Sequence, residues 1–191
     1  MARVSQPADH GRSLRRVAPA APDSGWRLAV WVGAALLLTV VGSNPARAGC
    51  TDPPAPGVNW QRCVLDGLDF AEVDLRGARL RDASFFRGDL TGSDLSKTSA
   101  FRAKFVNAVL RNAKFDGAKL SEADFTKADL TAASLAGVDL RRARFFDAVL
   151  RGVNLTEARL RGADLTRADL SGATWIDGKR VCSEGSVGRC N

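Results

Sequence analysis

One feature constrains this chain more than any other: a large apolar residue stands at every fifth position from Leu65 to Trp175. The column begins Leu65, Phe70, Leu75, Leu80, Phe85 and ends Leu165, Leu170, Trp175, and of its 23 positions only Ala100 is not a large apolar residue. Two residues before each stands a second column, from Cys63 to Ala173, in which fifteen members are alanine. No residue is inserted or deleted in the run. A five-residue period is neither the 3.6 of a helix nor the 2.0 of a strand. On an α-helix each step would turn by roughly 140° net, and the Leu/Phe column would spiral around it. The period therefore signals a repeat, in which one unit buries nothing alone and stacked coils share a continuous core.

The units Ala123-Asp124-Phe125, Ala128-Asp129-Leu130, Ala163-Asp164-Leu165 and Ala168-Asp169-Leu170 resemble the A-[DN]-L-x-x unit of the pentapeptide-repeat family. The resemblance covers residues 65–175. It implies an all-β fold, a right-handed quadrilateral β-helix with four pentapeptides per coil and the Leu/Phe positions stacked inside. The residues give independent support for four. Phe85, Phe105, Phe125 and Phe145 recur every 20 residues, and the segment 102–111 resembles 142–151, two such coils further on. Residues 65–175 would then wind nearly six coils, a rod roughly 28 Å long at ~4.8 Å per coil.

The chain divides around this run. Residues 1–48 carry Arg3, Arg12, Arg15, Arg16 and Arg27, then an apolar stretch over 28–41, then Ala46-Arg47-Ala48. A basic head, a short apolar middle and small residues at −3 and −1 predict a secretory signal peptide cleaved after Ala48. The apolar stretch is short for a bilayer-spanning helix, which needs ~20 residues. Arg15-Arg16 lies far upstream for a twin-arginine signal, and Arg47 stands where a lipoprotein signal leading to Cys50 wants an aliphatic residue. Residues 49–64, with Pro53, Pro54 and Pro56, read as an N-terminal cap, and residues 176–191, rich in glycine, as a C-terminal cap. Both ends need one, because an open β-helix end exposes unpaired backbone.

The four cysteines, Cys50, Cys63, Cys182 and Cys190, fall two at each end. Export predicts an oxidising compartment, where even-numbered cysteines read as disulfides. Bridged Cα atoms lie within ~7 Å. On a rod with Cys63 in its first coil and Cys182 after its last, the pairing that respects the fold is Cys50 with Cys63 and Cys182 with Cys190. The alternative is a zinc site, with ligand pairs at opposite ends and no histidine to complete them.

Composition narrows the function. The chain has a net charge of +7, but residues 1–48 hold six arginines and two aspartates, which leaves 22 basic and 19 acidic residues, or +3, in 49–191. That is a mixed surface and no nucleic-acid binder by net charge. The single histidine is His10, and there is no tyrosine, so a Ser-His-Asp or Cys-His nucleophile is excluded from 49–191. No catalytic residue, cofactor or metal site is expected, and no membrane span after cleavage. Asn154-Leu155-Thr156 matches a glycosylation sequon that the repeat already explains.

Sorted into four faces with a 20-residue coil, the charges separate. The face of Leu80, Ala100, Leu120, Leu140 and Leu160 carries Arg79, Arg81, Arg102, Lys119, Arg141, Arg142, Arg159 and Arg161 against Asp82, Glu122 and Asp139, a net +5, with Phe101 beside them. The face from Phe70 to Leu170 carries Asp69, Glu72, Asp89, Asp129 and Asp169 against Arg111 and Arg151, a net −3. The basic strip is either a solvated face or a docking surface for lipid headgroups, an acidic polymer or an acidic protein. Two function classes follow. One is an exported, non-enzymatic interaction or structural scaffold in the periplasm or outside the cell, with an unknown protein or anionic envelope component as partner and a homodimer compatible with the rod. The other is implied by the resemblance, since some members of the family resemble B-form DNA and bind DNA gyrase, giving quinolone resistance. That mimicry requires a strongly acidic rod in the cytoplasm.

Overall fold

The computed structural model describes residues 49–191. The expected signal peptide lies outside the described residues. From Asn59 to Asn154 the residue before each buried centre forms a parallel β-bridge with the residue 20 positions later, from Asn59 with Arg79 to Asn154 with Thr174. A coil is therefore 20 residues and four pentapeptides, and each pentapeptide forms one side of a quadrilateral solenoid.

The unit around Leu120 shows how five residues close one side. The Leu120 N–H donates up the rod to the Asp139 carbonyl (2.9 Å), and the Glu122 N–H donates to the Arg141 carbonyl (2.9 Å). The Lys119 N–H donates down the rod to Thr98 (2.9 Å), and the Ala123 N–H donates back to Leu120 (3.0 Å), closing the corner. The corner demands a left-handed backbone at its third residue, as type II turns do. Glu122 sits there at φ 60°, Gly117 occupies the same place in the unit before it, and Arg142 occupies it one coil on at φ 58°. Fifteen such residues are not glycine. They hold that conformation at a cost of order 1 kcal/mol each because the coils above and below fix it.

One backbone N–H per unit remains, on the residue after the centre. The side chain two positions before it takes that bond when it is Asp or Asn. Asp129 accepts from Thr131 N–H (3.0 Å), Asp124 from Thr126 (2.9 Å) and Asp169 from Ser171 (3.1 Å). This is the physical reason for the Asp/Asn of the repeat: it is an Asx turn repeated along the rod. Asn154 plays the same part, accepting from the Thr156 N–H (3.0 Å) and hydroxyl (2.6 Å), so the sequon is a turn cap.

Inside, the leucine and phenylalanine centres and the alanine column are buried almost without exception. Phe85, Phe105, Phe125 and Phe145 form a stack of parallel rings with centroids 5.2, 5.0 and 5.0 Å apart, which carries the 20-residue spacing into the core. Phe115 meets Phe105 and Phe125 edge-on at 5.8 and 6.1 Å.

The ladder begins one unit earlier than the apolar column read from Leu65. Asn59 is bridged, and Trp60 occupies a buried centre in register with Leu80, its ring 5.2 Å from Phe70. Its indole N–H donates to the Asp52 carbonyl (3.3 Å), and Cys50 is bonded to Cys63, so the proline-rich segment is tied over the first coil. At the other end the chain reverses. Thr174 pairs antiparallel with Val181 and Asp169 with Val187, and Cys182 is bonded to Cys190. This loop covers the centre Leu170 and Ala173 of the alanine column but stops short of one corner, where Leu160, Ala163 and Leu165 stay partly exposed. Among the described residues there is no free cysteine.

A basic face as the candidate functional site

A face of the rod presents three columns of side chains, because each unit sends three residues outward. On the face of Leu80 to Leu160 the bridging column runs Asn59, Arg79, Ser99, Lys119, Asp139, Arg159. The column after the buried centres runs Gln61, Arg81, Phe101, Ser121, Arg141, Arg161. The left-handed column runs Arg62, Asp82, Arg102, Glu122, Arg142, Gly162. Every basic residue expected on the strip is on this face and exposed, and Phe101 is half-buried. Arg62 joins them, a residue that the column read from Leu65 left in the cap.

The three columns are not equivalent. In the left-handed column cations and anions alternate and pair between coils: Arg102 holds Asp82 at 2.7 Å and Arg142 holds Glu122 at 3.2 Å. In the next column Arg81 and Arg102 each place a guanidinium 5.2 Å from the Phe101 ring centroid, a cation–π arrangement that pins the ring. Arg141 reaches back to Asp139 at 2.8 Å. That hydrogen bond is the main reason the Asp139 carboxyl lies below the usual carboxylate range, with partial burial opposing it. So all three acids of the face are occupied by arginine.

Five cations remain. Among the described residues Arg62 at the first coil, Arg79, Lys119, Arg159 and Arg161 have no acidic partner. Three of them, Arg79, Lys119 and Arg159, stand in the bridging column, where the fold would otherwise gain a turn-capping Asp or Asn. A shallow depression beside them is lined by Phe101, Ser121, Glu122, Arg141, Arg142 and Arg161.

The opposite sign gathers on the face of Phe70 to Leu170. There Asp69, Asp89, Asp129 and Asp169 all cap their own turns, and Arg111 and Arg151 pair with Asp129 and Asp169 at 2.6 and 2.5 Å. These carboxylates are parts of the backbone's hydrogen-bonding scheme. On the adjoining face of Phe85 to Phe145, Phe86 and Phe146 are half-buried with Arg87 and Arg167 over their rings at 4.8 and 5.3 Å. Among the described residues no cluster of His, Cys, Asp and Glu could hold a metal ion, and no helix is long and apolar enough to cross a membrane.

Fold and surface together define a pentapeptide solenoid with one cationic face. The family model for pentapeptide repeats matches in eight copies, over residues 55–82, 63–99, 78–117, 103–142 and 143–174, and the chain belongs to that family. No curated protein matches it in sequence. Among solved structures it is similar to HetL of Nostoc sp. strain PCC 7120, a pentapeptide repeat protein involved in heterocyst differentiation regulation. The identity is 28% over 64% of this chain and 74% of HetL, with a TM-score of 0.42. It is similar to the pentapeptide repeat protein Rfr23 of Cyanothece 51142, at 26% identity over 61% of this chain and 90% of that one, TM-score 0.45. It is also similar to QnrB1, a plasmid-mediated fluoroquinolone resistance protein, at 21% identity over 68% of this chain and 74% of that one, TM-score 0.32.

Proposed function

We propose that this protein is an exported, non-enzymatic scaffold of the cell envelope that holds an anionic partner on its basic face. The observation that carries the reading is the charge arrangement. Arg79, Lys119, Arg159 and Arg161 are exposed on one face without acidic partners among the described residues, while the acids of that face are already paired. Exposed charges are cheap to keep and available to a ligand, and a face of one sign steers an oppositely charged partner toward it. The rod is taken as right-handed and of nearly six coils. Export rests on the signal-peptide pattern of residues 1–48 and agrees with a cysteine bridge at each end. A non-enzymatic role agrees with the absence of His and Tyr from 49–191 and with aspartates committed to turns. DNA mimicry would need the charge reversed, since residues 49–191 carry +3.

Photo-crosslinking in the native envelope tests this reading. A crosslinker placed at Ser99, on the basic face, should yield an adduct that one placed at Thr131, on the acidic face, does not. The adduct should be recovered outside the cytoplasm with an N-terminus at Gly49. Equal adducts from both positions, or a cytoplasmic location, would contradict it.

A further inference from the structure

We infer that the column Arg79, Lys119 and Arg159 is a register for a linear acidic glycan in which a uronate alternates with a neutral sugar. This rests on the reading of the basic face as a docking surface. The three cations share one bridging column at 40-residue intervals, that is, one every second coil. Coils are spaced at the inter-strand distance, so successive cations recur every ~10 Å along a straight line. The positions between them carry no net charge. Ser99 is neutral and exposed, and Asp139 is cancelled by Arg141 at 2.8 Å. The column thus reads cation, neutral, cation, neutralised, cation.

A matching ligand is straight, with one anionic group per ~10 Å and a neutral, hydroxyl-rich unit between. An extended glycan advances by about one coil per sugar ring, so alternation of uronate and neutral sugar places a carboxylate at every second coil. Other polyanions are out of step. An extended peptide presents side chains on one face every ~6.8 Å. Duplex DNA spaces its phosphates at ~3.4 Å of rise per strand and winds them around an axis. The sequence singles out this column. On the adjoining face Lys104 and Arg144 alternate with Asp124 and Asp164, and Arg144 reaches Asp124 at 3.6 Å, so that column cancels itself. Beside the cationic column lies the shallow depression lined by Phe101, Ser121, Glu122, Arg141, Arg142 and Arg161, which offers the sugar rings one aromatic side chain, one hydroxyl and further guanidinium groups.

The test uses the full chain, so that residues 1–48 are constant, and end-labelled hyaluronan fragments, in which glucuronate alternates with a neutral amino sugar. Polygalacturonate fragments, acidic at every ring, phosphatidylglycerol vesicles and an oligonucleotide are the comparison probes. The decisive variant is Ser99→Lys with Lys119→Ser, which conserves net charge and breaks only the spacing. Circular dichroism and the unfolding midpoint check that each variant folds. Hyaluronan affinity should fall by about fivefold in this swap, while polygalacturonate affinity stays level. Replacing Arg79, Lys119 and Arg159 together by serine should cost about tenfold or more on hyaluronan, against little change for Lys97, Lys114 and Lys127 replaced together. An unaltered hyaluronan affinity in the swap overturns the register. Strip-dependent binding of vesicles or oligonucleotide without hyaluronan binding overturns the glycan and leaves the docking face standing. If the Arg79, Lys119 and Arg159 triple alters binding of no probe, both readings fall.

Discussion

Thr98 and Ala100 depart from the repeat in opposite directions within one unit. Thr98 is larger than the alanine of its column, Ala100 is smaller than the Leu, Phe or Trp of its own, and both are fully buried. The exchange leaves one defect: the Thr98 hydroxyl has no hydrogen-bond partner. A buried hydroxyl without a partner costs about 1–3 kcal/mol. Thr98→Val keeps the shape and removes the polar group, so it should raise stability by about 1 kcal/mol in chemical denaturation. A loss of stability would mean that the hydroxyl is satisfied in solution.

Leu120 lies mid-rod, fully buried between coils. Leu120→Ala should cost about 2–5 kcal/mol through lost transfer energy and a cavity. Leu120→Asp should abolish folding, because it traps an unpaired charge in an apolar column. Folded, cooperative Leu120→Asp protein would show that the core is looser than the stacking implies.

Ala132 sits exposed at a corner with φ 58°, with no side-chain polar group to compensate. Ala132→Gly should therefore stabilise the rod by about 1 kcal/mol, the reverse of the usual effect of glycine. A lower denaturation midpoint would contradict a left-handed corner there.

Acid should unfold the rod and neutral pH should not touch it. The Asp169 carboxyl is held below its ordinary range chiefly by the Ser171 hydroxyl, Asp164 chiefly by Thr166, and Asp139 chiefly by Arg141. A carboxyl whose folded pKa is depressed adds stability above its unfolded value and loses it as pH falls through the folded one. With no histidine in 49–191, stability should be flat from about pH 8 to 5 and fall below about pH 4. A transition between about pH 6 and 7 would point to a titrating group that this scheme lacks.

The core was legible because its period is a property of residue size alone, and no insertion disturbs it from Leu65 to Trp175. The four-unit coil was legible from Phe85, Phe105, Phe125 and Phe145 for the same reason. Trp60 was not, although it stands five residues before Leu65, because Pro53, Pro54 and Pro56 mark the segment as cap rather than coil. The left-handed corners were hidden because Arg, Lys and Glu fill many of them, and position in the coil decides their conformation rather than propensity. On the basic face, membership followed from the period, whereas the division into paired and unpaired cations did not. The Arg102 to Asp82 and Arg142 to Glu122 contacts join residues 20 apart, and only the coil brings them together.

The most direct measurement of the docking face compares two quadruple variants with equal charge change. One replaces Arg79, Lys119, Arg159 and Arg161 by glutamate on the basic face. The other replaces Lys97, Lys114, Lys127 and Lys179, which lie elsewhere. Both should keep the β-type circular dichroism of the wild type, since all eight side chains are exposed. Crosslinked adduct from the native envelope should vanish in the first and persist in the second, and added salt should weaken it in the wild type. An adduct that survives the first variant at low salt as well as the second would contradict the account, leaving the basic strip a solvated face.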